Sequence, residues 1–124
     1  MIFIEGNVPS SKNSKQWTGR MLIKSKATMR YEKASIQAWI DNKESFLSAI
    51  SKKQAPYKIG FHFIRGSRHK YDWVNPVQTI QDLMVKHGWL EDDNTTVMVP
   101  VPFKKNGVFS HYDKENPGVY IKVL

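Results

Sequence analysis

The sequence predicts an α+β protein, a single domain over residues 1–124 with a mixed β-sheet and two main helices. Three observations carry this. Apolar residues recur at spacings of three and four after Ser25 and again after Asn75. Short alternating or apolar runs bounded by turn residues flank those two segments. The resulting order of strand, helix, strand, helix, strand, strand implies a mixed sheet with helices packed on it. A chain of 124 residues, 40% of them hydrophobic and 12% aromatic, can bury one core without covalent staples.

Met1–Glu5 reads as a short strand, with Ile2 and Ile4 on one face and Phe3 on the other. Gly6–Arg20 (GNVPSSKNSKQWTGR) is a polar loop rich in turn residues, and an irregular stretch of that length points to function. Ser25 is a candidate N-cap for the first helix, whose expected core stripe is Ile36, Trp39, Ile40, Leu47 and Ile50 and whose end falls near Ile50–Lys53. Tyr57–Arg65 alternates Ile59, Phe61 and Phe63 against Lys58 and His62, the pattern of a half-buried strand. A basic loop, Gly66–Tyr71, follows. In the second helix Asn75 is the expected N-cap, Pro76 needs no N–H in the first turn, and Gly88 is a left-handed terminator. Val77, Ile80 and Met84 form its core stripe. Val97–Phe103 and Gly118–Leu124 are expected to close the sheet as an antiparallel pair. Asn106-Gly107 is a type I′ turn candidate at the tip of a Lys104–Phe109 hairpin.

Composition excludes several classes. With no cysteine there are no disulfides or thiolate metal sites, and His62, His69, His87 and His111 lack a zinc-ligand spacing. No Gly-rich phosphate loop, G-x-S-x-G elbow or H-E-x-x-H occurs. The opening MIFIEGNV is too short for a signal h-region and no apolar run approaches a membrane span, so a cytoplasmic protein without a membrane partner is expected. A net charge of +8 with a pI near 9.7 favours a polyanionic partner.

Against that basic background stands an acidic island, DWVNPVQTIQDLMVKHGWLEDDN. Residues 72–93 hold five of the eleven acids (Asp72, Asp82, Glu91, Asp92, Asp93) and one base, Lys86, so the segment carries −4 and the remainder +12. Clustered carboxylates hold hard divalent cations, and basic surfaces hold phosphate backbones. A metal-dependent nuclease needs both. Asn75, Gln78 and Asp82 fall at i, i+3 and i+7, on one side of the second helix. Asp72 precedes that helix near its positive end. The helix rises roughly 20 Å from Asn75 to Gly88. About five or six extended residues can return most of that distance, so Asp93 in Asp92-Asp93-Asn94 can approach Asp72. The simpler structural roles for these residues are a helix entry (Asp72) and a solvated turn (Asp92-Asp93). Residues 7–33 set Lys12, Lys15, Arg20, Lys24, Lys26, Arg30 and Lys33 against Glu32 alone. Asn13 and Trp17 lie among them, suited to phosphate hydrogen bonds and stacking. Arg65, Arg68, His69 and Lys70 form a second basic patch directly before Asp72.

The order of these pieces over nearly the whole chain resembles the RusA-like crossover junction endodeoxyribonucleases common in prophages. The matching residues are the loop Pro9-Ser10-Ser11-Lys12-Asn13, then Thr18-Gly19-Arg20, Lys24-Ser25 and Tyr31. The most specific part is a basic loop leading to D-x-D-N-x-x-K, a helix, and G-[aromatic]-L-x-D-D. Here that part reads Asp72-Trp73-Val74-Asn75-Pro76-Val77-Gln78, and then Gly88-Trp89-Leu90-Glu91-Asp92-Asp93. The resemblance implies a homodimer that uses Mg²⁺ or Mn²⁺ to nick Holliday junctions and other branched DNA in recombination, repair or phage DNA processing. By position, Asp72 and Asp93 match metal ligands, Asp82 and Asp92 match acidic positions near them, and Asn75 matches the Asn. Lys12, Asn13, Lys15, Arg20, Lys24, Lys26, Arg68 and Lys70 are the expected DNA contacts. Two positions depart from the pattern: Val74 stands where the second Asp would be, and Gln78 where the Lys would be. They motivate a second expectation, a branched-DNA binding module with little or no cleavage.

Overall fold

The computed structural model describes residues 1–10 and 15–124. It is α+β: seven strands, β1 (Ile2–Glu5), β2 (Lys15–Trp17), β3 (Leu22–Lys24), β4 (Tyr57–Arg65), β5 (Met98–Pro102), β6 (Ser110–Tyr112) and β7 (Gly118–Val123), and two helices, α1 (Lys26–Ile50) and α2 (Val74–Lys86). The main sheet runs β1-β7-β4-β5, and β6 also pairs with β4. β2 and β3 form a separate antiparallel ribbon. Part of the expected Gly6–Arg20 loop is therefore regular structure. No helix among the described residues is long and apolar enough to cross a membrane.

β4 is the axis of the sheet. β7 pairs antiparallel with it on one side, while β5 and then β6 pair parallel with it on the other. The expected pairing of Val97–Phe103 with Gly118–Leu124 does not occur. The intervening α2 makes β4-α2-β5 a crossover unit, which brings the next strand back parallel. β7 instead inserts between β4 and β1. In this central position β4 is covered on both faces, so His62 is as buried as Phe61 and Phe63. It is not the half-buried strand its alternation suggested.

The main core lies between one sheet face and the helices. Ile4, Ile59, Phe61, Phe63, Val119 and Ile121 meet Trp39 and Phe46 of α1 and Val77, Ile80 and Met84 of α2. α1 starts where expected, with Ser25 Oγ accepting from the Thr28 N–H at 3.2 Å. Its core face differs from the expected stripe. Tyr31, Ser35, Trp39 and Phe46 point inward, whereas Ile36, Ile40 and Leu47 are exposed. The large rings set the rotation of the helix because they remove the most apolar area from water. Ser35 is buried without cost because it accepts from the Trp39 indole N–H at 3.0 Å. The helices are joined through Trp89, whose ring lies edge-on to Trp39 (5.0 Å) and whose Nε1–H donates to the Trp39 carbonyl at 3.0 Å.

α2 begins earlier than Asn75. Trp73 occupies the cap with no side-chain hydrogen bond, and the Asn75 N–H donates to the Asp72 carbonyl at 3.0 Å. Pro76 did not fix the start because every N–H of the first turn is free of intrahelical bonding, so a proline fits at any of those positions. The other end is as read: Gly88 at φ 77°, with Gly88 N–H to Val85 O (3.0 Å) and Trp89 N–H to Met84 O (2.8 Å), forms a Schellman closure. Asn106 (φ 53°) and Gly107 (φ 81°) form the expected tight turn between Lys105 and Val108. The second sheet face is covered by Phe3, Tyr120 and Phe103, with His62 beneath them.

Candidate functional site

The segment after β1 is fixed by three polar ties. Arg65 Nη1 donates to Val8 O at 2.8 Å, the Gly66 N–H donates to Asn7 Oδ1 at 2.9 Å, and Thr79 Oγ1 donates to Pro9 O at 2.8 Å. These bonds carry Pro9 and Ser10 to the N-terminal end of α2. The result is an open cleft of about 570 Å³ lined by Pro9, Ser10, Ser25, Ala27, Arg65, Ser67, His69, Lys70, Tyr71, Asp72 and Asn75. The first turns of both helices face it, so their positive dipole ends suit an anion, although the Thr28 N–H is taken by Ser25 Oγ and the Asn75 N–H by the Asp72 carbonyl. Three basic side chains add to that potential. Burial pushes the Arg65 guanidinium below its usual range, an effect that Tyr71 partly offsets. The Arg65 guanidinium lies 4.5 Å from the Tyr71 ring centroid. Its Nε is buried and has no hydrogen-bond partner among the described residues.

The acidic residues divide into two sets. Asp72 lies in the cleft with Asn75. Beyond it on α2, the exposed Gln78 donates from one nitrogen to Asp82 Oδ1 (2.8 Å) and to Asp93 Oδ2 (2.9 Å). Those two oxygens are therefore no more than about 6 Å apart. Asp93 reaches this cluster because its neighbours hold the turn. Asp92 accepts from the Asp93 N–H at 2.7 Å and from Asn94 Nδ2 at 2.9 Å, and Asn94 Oδ1 accepts from the Thr96 N–H at 3.0 Å. The Asp93 N–H and the Asn94 amide hold the Asp92 carboxyl below its ordinary value. Asp92 and Asn94 thus shape the turn, and Asp93 projects from it.

Among the described residues, no three His, Cys, Asp or Glu side chains converge as a group that could hold a metal ion. The donor chemistry of the Asp82–Asp93 pair still fits Mg²⁺, which is commonly held by one or two carboxylates, with water and substrate phosphate completing its shell. In this arrangement the Gln78 amide N–H₂ group bridges the two carboxylates.

Of the expected DNA contacts, Arg20, Lys24, Lys26, Arg68 and Lys70 are exposed. Lys24 is bonded to Glu32 at 3.0 Å, and Arg68 lies 4.6 Å over the Tyr112 ring. Lys12 and Asn13 lie outside the described residues, as does the side chain of Lys15. Glu32 also receives Lys86 at 3.3 Å, which links β3, α1 and α2. Burial raises the Glu32 carboxyl, but the hydrogen bonds and charges of Lys24 and Lys86 outweigh it and hold the group below its ordinary value. Sequence reasoning missed Thr79, Ser67 and Tyr71. Thr79 had a usable signal, a polar residue on the apolar side of α2; the loop residues Ser67 and Tyr71 had none.

No protein-family model matches the chain, and no curated protein matches it at a significant level.

Proposed function

We propose that the chain is a divalent-metal-dependent endonuclease acting on branched DNA, with a site pattern resembling that of the RusA-like resolvases. One observation carries the reading. Pro9 and Ser10, Ser25, and the pair Asp72 and Asn75 come from distant parts of the sequence pattern, yet they line one cleft together with Arg65, His69 and Lys70. A coincidental ordering of motif fragments would have no reason to converge in space.

In this reading the DNA phosphate lies in the cleft, held by Arg65 and Lys70 and favoured by the positive dipole ends of the two helices. Asp93 together with Asp82 would hold Mg²⁺ or Mn²⁺, while Asp72, expected from the sequence as a ligand beside Asp93, stands instead in the cleft on the phosphate side and Asp92 shapes the turn that presents Asp93. When bound, such an ion supplies a water activated for in-line attack and neutralises charge on the phosphate and leaving oxygen. Asn75 would orient the phosphate from the cleft, and the Gln78 amide, which bridges Asp82 and Asp93, would hold those two carboxylates in place. Two symmetric cuts across a junction require two such sites, which a two-fold homodimer supplies. Asp72→Asn and Asp93→Asn each abolish Mg²⁺-dependent nicking of a synthetic four-way junction while keeping junction affinity. Full cleavage by both variants would remove the site assignment.

A second reading, a branched-DNA binder with little cleavage, is favoured by Gln78 alone. Its amide donates to both Asp82 and Asp93, an interaction that competes with a cation for the same oxygens. Salt-sensitive junction binding with no product under any Mg²⁺ or Mn²⁺ condition would establish it.

A further inference from the structure

Residues 6–31 contain six lysines and arginines and no carboxylate. Within them the β2-β3 ribbon stands apart from the main sheet. Its turn is tied by the Thr18 N–H to Met21 O (3.1 Å) and by the Thr18 hydroxyl to the same carbonyl (3.2 Å), with Gly19 at φ 92°. Trp17 and Leu22 are direct cross-strand partners, so their side chains leave the same face. Such a pair ordinarily gains stability by burial. Here Trp17 is 66% exposed, Leu22 59% and the adjoining Met21 60%. Trp17 and Leu22 thus leave one face exposed near the turn, with exposed Met21 next in the chain, on a ribbon whose turn carries Arg20 and whose far end carries Lys24.

We propose that this ribbon is a stacking wedge for unpaired DNA bases, with Trp17 as the stacking ring and its cross-strand partner Leu22 as apolar support. The proposal rests on the nucleic-acid reading of the cleft but not on cleavage. Charge selects the occupant. Exposed Arg20, Lys24 and Lys26 lie on and beside the ribbon, Lys24 paired to Glu32, and the resulting net positive charge suits a phosphate-bearing partner. A closed duplex hides the faces of its bases, whereas a branch point or single strand offers them to an aromatic ring or an apolar wedge. Position agrees with this. β3 ends at Lys24, and the next residue, Ser25, lines the cleft, so a strand whose phosphate enters the cleft runs beside the ribbon.

The test is binding in EDTA, where nicking plays no part. A four-way junction and a single strand, each with 2-aminopurine opposite the expected contact, and a closed duplex of the same sequence are titrated with the protein. The account expects the probe's emission to change on the junction and the single strand but not on the duplex. It also expects quenching of the Trp17 emission, read as the difference between wild type and Trp17→Phe, which removes the contributions of Trp39, Trp73 and Trp89. Trp17→Ala weakens junction and single-strand binding by about tenfold and leaves duplex binding unchanged. Equal responses to duplex and junction, or full affinity in Trp17→Ala, would overturn the wedge. So would a shift from dimer to monomer in Trp17→Ala without DNA, which would make the ribbon a self-association face. The 2-aminopurine signal uses wild-type protein, so it decides the matter even if the variant misfolds. Failure of nicking in Mg²⁺ would leave this result standing.

Discussion

Position 78 is where the charge of one side chain reports on the whole acidic cluster. In Gln78→Glu the amide donor becomes a third carboxylate about 3 Å from oxygens of Asp82 and Asp93. Each like-charge contact at that distance costs about 1.4 kcal/mol in a water-like dielectric, the appropriate limit for these largely exposed groups. Two lost hydrogen bonds add about 0.5–1.5 kcal/mol each. Movement of the exposed side chains away from one another recovers much of this, leaving a destabilisation of about 1–2 kcal/mol. For a chain of this size that lowers the melting temperature by about 3–10 °C. Gln78→Lys has the opposite sign. It gains about 0.2–1 kcal/mol from two exposed ion pairs, a gain that disappears in about 1 M salt, where the screening length is about 3 Å. Gln78→Leu falls between them. Thermal unfolding followed by circular dichroism, at low and high salt and with or without millimolar Mg²⁺, measures all three. Mg²⁺ restores Gln78→Glu more than it stabilises wild type, because a third carboxylate strengthens the Asp82–Asp93 pair as a cation site. Identical melting temperatures for Gln78→Glu and Gln78→Lys at low salt would refute the claim that Asp82 and Asp93 are held together at this side chain.

Two further outcomes follow from the packing. A methyl group at position 118 would overlap the Phe3 ring and lie 2.7 Å from the Ile4 carbonyl, so Gly118→Ala costs about 1–3 kcal/mol in denaturant unfolding with an unchanged m-value. On the same sheet face, His62 Nε2 meets His111 Nδ1 at 2.9 Å and its Nδ1 meets the Phe103 carbonyl at 3.2 Å. Burial holds the His62 imidazole below its usual value; the Phe103 carbonyl opposes that effect, and the charges of His111 and Lys105 add to it. The unfolded chain therefore binds a proton first as pH falls through about 6.5, so stability is full above that pH and is lost on acidification. His62→Gln flattens this pH dependence between about pH 7 and pH 5, as read by chemical denaturation at each pH.

Much of the fold was legible because local signals and global packing agree. The Ser25 cap, the limits of β4, the Gly88 closure and the Asn106-Gly107 turn are local events, each fixed by a few adjacent residues. The rotation of α1 was not legible. Its sequence carries two apolar stripes about a quarter-turn apart, and only the space beside Trp89 decides in favour of Trp39 and Phe46 over Ile36 and Ile40. The insertion of β7 beside β4 is likewise a long-range pairing without a local signature. In the site, the spacing of Asn75, Gln78 and Asp82 correctly gave one polar side of α2. It did not reveal that Gln78 ties Asp82 to Asp93, nor that Thr79 draws Pro9 to the cleft, since both depend on loop paths.

The most direct test of the account uses pure protein with labelled four-way junction, duplex and single strand, each with and without Mn²⁺. The account predicts symmetric nicks in the junction only, only with metal, and none with Asp93→Asn. Junction binding with no nick under any metal condition, or equal cutting of plain duplex, would contradict it.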